Sequence, residues 1–389
     1  MSRSAEQQLI LLSAGTAARR LNGREHARKL VGQVDWDVLA AVLRIRRLLT
    51  VLGPRVMELT EGATSDEFVE AVEQALEAGR RQSGFLALLT ARLSALLADA
   101  SIRCAPLKGP GLAGAIYGEG GRRLSNDIDL LVAPEQLQAA VAVVRTLGYA
   151  APSDHVREDG LPLLHFALAH EQEMLPPVEI HWRVHWYEER FARERLLPPT
   201  VAAAADWRPA LADELAALLL FYARDGFVDL RMAADVAAWW DTHGEYLPRG
   251  ALDETLVAYP ALRGAVEAAA QVAQTLVGLP AEHALGRPPS LNFRQRLAAH
   301  LSNPHPRSSQ SQLYADMGLI DGLLAPPGGL NEFVSRQVLV APEVLAQQAR
   351  HRSRPRARSR LGHGAGVLAR YGLTLTRLAR PKPARALPR

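Results

Sequence analysis

Apolar positions recur at helical spacing near the start of the chain. Trp36, Leu39, Leu43, Ile45 and Leu48 form one set, and Phe85, Leu86, Leu88, Leu89, Leu93, Leu96 and Leu97 form another. Residues 1–98 therefore read as a helical N-terminal region. The pattern changes near residue 100, where a short apolar segment from Ile102 to Leu107 is broken by Gly109-Pro110-Gly111. Leu130-Leu131-Val132 reads as a buried strand, and Val178-Glu179-Ile180-His181-Trp182 alternates as a second one. Between them Pro134-Glu135 signals a helix start. Leu137, Ala140, Val141, Val144 and Leu147 follow at helical spacing, and Gly148 supplies the stop. A strand-containing core is thus expected over 99–205. A second helical region, 206–345, carries Leu215, Leu218, Leu219 and Tyr222, then Met232, Val236, Trp239 and Trp240. These aromatic residues sit at helical spacing, which makes them packing residues rather than base-stacking ones. No repeat of 20 to 50 residues is present.

Charge separates the last segment from the rest. Residues 350–389 hold twelve Lys or Arg and no Asp or Glu, so a whole-chain charge of +4 leaves −8 on the first 349 residues. The expectation for 346–389 is a basic, flexible tail whose run from Arg350 to Arg360 suits nucleic acid or an anionic membrane surface. Within it, Leu361 to Leu378 reads as a weak helix with Val367, Leu368, Tyr371 and Leu375 on one side, docked on the body or lying on a lipid interface. Leu9-Ile10-Leu11-Leu12 is too short to span a bilayer and no other run is long enough, which points to the cytoplasm. The single cysteine, Cys104, rules out an intrachain disulfide and any multi-cysteine zinc site, and reads as a small buried hydrophobe.

The chemistry is carried by Arg123-Leu124-Ser125-Asn126-Asp127-Ile128-Asp129. A strand turns residues i and i+2 to one side, so both carboxylates face the same space. At about 4 Å their repulsion would be roughly 4 kcal/mol at an effective dielectric near 20, a cost that a divalent cation between them removes. Hard oxygen ligands with open coordination positions suit Mg²⁺, which fills its remaining sites with water and substrate phosphates. Glu179, on the alternating strand, offers a third carboxylate. Upstream, Lys108-Gly109 gives a phosphate-neutralising amine beside a glycine that lets backbone N–H groups approach an anion.

Competing motifs fail on placement. Gly109-Pro110-Gly111-Leu112-Ala113-Gly114 matches a dinucleotide fingerprint with Asp129 twenty residues beyond its first glycine. Yet Arg103, Cys104 and Pro106 interrupt the strand that should precede it, and Asp127 and Asp129 come before their apolar run rather than after it. His181 and His185 are four apart, but the segment reads as strand, where that spacing does not build a zinc site. No G-x-x-x-x-G-K-[ST] or G-x-S-x-G sequence occurs.

Leu107-Lys108-Gly109, Tyr117, Arg123, Asp127-Ile128-Asp129-Leu130-Leu131-Val132, Gly148-Tyr149 and Glu179-Ile180-His181-Trp182 together resemble the uncharacterised bacterial nucleotidyltransferase family of the polymerase-beta-like superfamily. Asp35-Trp36, the helix holding Asp235 and the segment near Tyr371 extend the likeness over most of the chain. The resemblance implies an α+β fold, a small mixed β-sheet core flanked by N- and C-terminal helical regions. It implies Asp127, Asp129 and Glu179 as catalytic and metal-binding residues for Mg²⁺ or Mn²⁺, with Glu179 activating the attacking hydroxyl. Lys108, Gly109, Arg123 and Ser125 would contact the NTP. The usual superfamily loop reads glycine then serine or glycine, whereas Pro110 follows Gly109 here, so Lys108-Gly109 is taken as the equivalent. The implied reaction moves an NMP group from an NTP to a small-molecule, peptide or protein acceptor. The alternatives are an inactive binding or scaffold protein with the same fold, and an RNA-directed enzyme using the 350–389 tail.

Overall fold

The protein is described by a computed structural model over residues 4–379, apart from 158, 173, 205–206, 302–309, 343–344 and 346–358. The arginine-rich run expected to bind polyanions falls almost wholly outside these described residues. Five helices lead the chain: α1 (Ala5–Ser13), α2 (Ala17–Leu30), α3 (Trp36–Ile45), α4 (Leu49–Leu59) and α5 (Asp66–Asp99). Local capping sets four of their starts. Ser4, Thr16, Asp35 and Ser65 each accept a hydrogen bond from the backbone N–H three residues on. Leu39 and Leu43 are buried as expected, but Ile45 is 83% exposed, because two residues beyond Leu43 lies on the opposite side of a helix. In the 34-residue α5, Leu86, Leu93 and Leu97 are buried while Phe85 and Leu88 face outward, a narrower stripe than the leucine density suggests.

The sheet follows. β1 (Cys104–Pro106) pairs antiparallel with β2 (Ile128–Val132), β2 runs parallel to β4 (Val178–His181), and β3 (His165–Leu168) closes the edge antiparallel to β4, giving the order β1-β2-β4-β3. The strand β3 is absent from the sequence expectation. Between β1 and β2 lies α6 (Pro110–Tyr117), and between β2 and β3 lies α7 (Leu137–Arg145). This is the expected α+β fold, a small mixed sheet flanked by helices.

Alternation gives the sheet two unlike faces. Ile128, Leu130, Val132, Phe166, Leu168, Val178 and Ile180 pack with α5 and with Leu137, Ala140, Val141 and Val144 of α7 in one apolar core. Cys104 belongs to this core, and burial pushes its thiol pKa up, as expected of a small hydrophobe. The other face carries Asp129, Glu179, His181 and His165, at paired positions along β2, β4 and β3.

Helices α8 (Leu211–Arg224) and α9 (Leu230–His243) reach that side, Phe221 meeting Lys108 and Asp235 meeting Arg123, while α10 (Ala251–Ala258) and α11 (Arg263–Val277) pack against α8. Their apolar residues join those of α1 to α4 in one continuous core, so segments about 200 residues apart in sequence share a single interior. Trp239 and Tyr222 are fully buried there, as packing residues. Further on come α12 (Ala281–Leu285), α13 (Phe293–Leu301), α14 (Gln310–Leu324), α15 (Leu330–Phe333) and α16 (Arg360–Ala379). The last docks through Val367 and Tyr371 onto Ala315 and Phe333, and Thr374 donates to Asp316 at 2.9 Å. Leu368 and Leu375, expected on the same side, stay outside. No helix among the described residues is long and apolar enough to cross a membrane.

Candidate active site

Three carboxylates meet at the mouth of the sheet. Asp129 and Glu179 are partners in the parallel β2/β4 register, and Asp127 stands just before β2. One oxygen from each of Asp127, Asp129 and Glu179 lies within 4.8 Å of the others. The i, i+2 spacing and the strand register therefore bring together the three acids named from the sequence. Their environments differ. Asp129 is buried, whereas Asp127 and Glu179 are both half-buried, so the cluster reaches solvent through those two acids.

The loop that carries Asp127 is held from both sides. Gly79 of α5 and Gly121 cross so closely that an added Cβ on Gly79 would meet the Gly121 carbonyl oxygen at 2.4 Å. Farther along, the Gln82 amide donates to the Ser125 carbonyl at 2.7 Å, and Arg231 of α9 donates to the Leu124 carbonyl at 3.0 Å. The N-terminal and C-terminal helical regions thus both aim the aspartates.

Lys108 comes back over the site from the β1–α6 turn. Its Nζ lies 3.4 Å from Asp129, and 4.6 Å from the centre of the Phe221 ring, which offers its electron-rich face to the amine. Gly109 next to it has φ +82°, a conformation that side chains resist, while the space beside its Cα is open. Pro110 then occupies the first position of α6, where its missing N–H costs nothing. The departure from a glycine-serine loop is structurally a helix start.

His181 was set aside in the sequence, yet it binds the acids together. Its Nε2 lies 2.9 Å from Asp129 and 3.2 Å from Glu179. Both partners accept, so this nitrogen carries the proton. His165 packs against it with ring centres 4.6 Å apart and the planes tilted by 54°. The charges sort the acids. Burial and the Asp129 charge push the Asp127 pKa up. Burial acts the same way on Asp129, but Lys108 and the His181 hydrogen bond outweigh it and hold that carboxyl well below the usual range. Glu179 is lowered too, His181 and His165 prevailing over burial. Burial, with His181 beside it, pushes His165 down to about 4.

Arg123 lies deeper than a phosphate ligand in an open loop. It is buried, and its Nε donates to Asp235 of α9 at 2.7 Å. Tyr117 donates to the other Asp235 oxygen at 2.8 Å. One guanidinium nitrogen reaches Ser125 Oγ at 3.4 Å, and Ser125 in turn approaches Asp127 at 3.5 Å. Arg123 and Ser125 therefore reach the site through Asp127. Asp235 carried a usable signal: a carboxylate in the otherwise apolar run from Met232 to Trp240 needs a buried partner. His165 carried little, because its four-residue strand is flanked by turns.

A family profile described as uncharacterised nucleotidyltransferase matches residues 32–278, well over half of the chain. The match takes in the capped start of α3, the whole sheet and helices α8 to α11. No curated protein and no solved structure matches.

Proposed function

Since the chain belongs to the uncharacterised nucleotidyltransferase family, we propose that it transfers an NMP group from an NTP to an acceptor hydroxyl or similar nucleophile, in the manner of polymerase-beta-like enzymes. The observation that carries this reading is the meeting of Asp127, Asp129 and Glu179 beside Lys108. Three carboxylates facing one ammonium leave surplus negative charge in a half-buried site. Their hard oxygens fit Mg²⁺ or Mn²⁺, held by Asp127, Asp129 and Glu179. Bound there, the ion would supply charge stabilisation at the phosphates.

The chain's own groups divide the remaining work. Lys108, with the backbone at Gly109, neutralises the triphosphate. Glu179, half-buried at the edge of the cluster, accepts the proton of the attacking hydroxyl. The acceptor oxygen bonds to the α-phosphorus, the bond from that phosphorus to the bridging oxygen breaks, and pyrophosphate leaves with the electron pair. His181 keeps Asp129 and Glu179 oriented. Arg123 and Ser125 position Asp127, and so contribute to nucleotide binding through it.

Incubating the protein and mixed small-molecule and peptide acceptors with NTP labelled at either the α- or the γ-phosphate tests this. The α-label should pass to an acceptor while the γ-label leaves as pyrophosphate, and Asp127→Ala should abolish both. Transfer of the γ-label to an acceptor would make the reaction a phosphoryl transfer and overturn the proposal.

A further inference from the structure

We propose that His165, Glu179 and His181 form a second cation site, for a borderline divalent transition metal such as Zn²⁺ or Co²⁺, sharing Glu179 with the carboxylate cluster. The donors define it without reference to nucleotidyl transfer. His165 and His181 are directly paired across the β3/β4 ladder, and Glu179 stands two residues from His181 on the same side of β4. One ligand atom from each lies within 4.8 Å of the others.

The spacing is close to what a metal would impose. His165 Nδ1 is 3.7 Å from a Glu179 oxygen, and His181 Nε2 is 3.2 Å from the same residue. Bonds of about 2.1 Å in tetrahedral geometry separate neighbouring donors by about 3.4 Å. A second observation points to a ligand: His165 Nδ1 is buried and has no hydrogen-bond partner, an omission that costs about 1–3 kcal/mol unless something satisfies the nitrogen. The neighbouring Asp127-Asp129-Glu179 set is all oxygen and suits a hard ion. Two imidazoles and one carboxylate form a different donor set, which imidazole-preferring metals favour. Binding there would replace the contact between His181 Nε2 and Asp129, so occupancy of this site would release an Asp129 oxygen to its neighbour.

The test is titration of Co²⁺ into the metal-free full chain, read by visible absorption, whose bands report nitrogen ligands. Tight binding with such bands is expected, with affinity at least about tenfold weaker in His165→Ala and in His165→Gln. Circular dichroism checks that each variant is folded. Asp127→Asn should keep the Co²⁺ affinity while losing Mg²⁺-dependent nucleotide binding, which reads the adjacent site separately. Absence of the bands, equal affinity in folded His165 variants, or loss of Co²⁺ in Asp127→Asn with retention in His165→Ala would each overturn the proposal.

Discussion

Two charged clusters lie one short link apart, and they are built on opposite terms. Around Asp235 the account is balanced: Arg123 takes one oxygen, Tyr117 the other, and nothing is left over. At the mouth of the sheet Asp127, Asp129 and Glu179 gather around Lys108 and His181 with negative charge to spare. The first arrangement is closed and holds α9 against the aspartate loop. The second is half-buried and, in the proposed function, takes a cation from outside. Burial alone does not separate the two clusters, since Asp235 and Asp129 are both buried; the balance of charge does.

The sharpest way to break this contrast is to unbalance the closed cluster. Asp235→Ala leaves the Arg123 guanidinium buried without its carboxylate, and denaturant unfolding should show a loss of about 3–5 kcal/mol. A loss under 1 kcal/mol would show that Arg123 already has another partner. The open cluster should respond to ions instead. Mg²⁺ at a hundred times its dissociation constant should stabilise the native chain by about 2.7 kcal/mol in thermal melts, and leave Asp127→Asn/Asp129→Asn unmoved. Equal stabilisation of both would place the ion elsewhere.

In EDTA the same cluster should behave in reverse. The folded-state pKa of Asp127 is raised by burial and by Asp129, so its contribution to stability is complete below pH 3.8 and is lost as pH rises through the folded value. Asp127→Asn should therefore gain on the order of 1 kcal/mol at neutral pH, and nothing below pH 3.8. Asp129 has the opposite sign, its stabilisation present above pH 3.8 and lost in acid, so Asp129→Asn should gain nothing at neutral pH. The smallest effect belongs to the link. Ser125 meets Arg123 and Asp127 only at 3.4 and 3.5 Å, and Ser125→Ala should cost less than about 0.5 kcal/mol. A loss matching that of Asp235→Ala would make the two clusters one.

The open cluster was legible in the chain because strand geometry translates directly into spacing. Asp127 and Asp129 fall two apart before Leu130-Leu131-Val132, and Glu179 alternates with Val178 and Ile180. Its neighbours in space were not, because parallel register joins residues fifty apart and no local pattern records it. His181 is bound to Asp129 only once β4 lies beside β2, and His165 enters through a strand of four residues. The closed cluster depends on a contact 112 residues long in sequence between Arg123 and Asp235, a buried ion pair that no local pattern records. Periodicity likewise marked the helices but overcounted their buried faces, as Ile45 and Leu88 show.

The central claim is that surplus carboxylate charge recruits a divalent ion and, with it, a nucleoside triphosphate. Calorimetric titration of ATP, GTP, CTP and UTP into the full chain, with Mg²⁺ and then with EDTA, tests it before any acceptor is known. The account predicts binding of at least one triphosphate that requires Mg²⁺ and is lost in Asp127→Asn/Asp129→Asn. Binding that persists in EDTA or in the double variant, or no binding of any of the four, would contradict it.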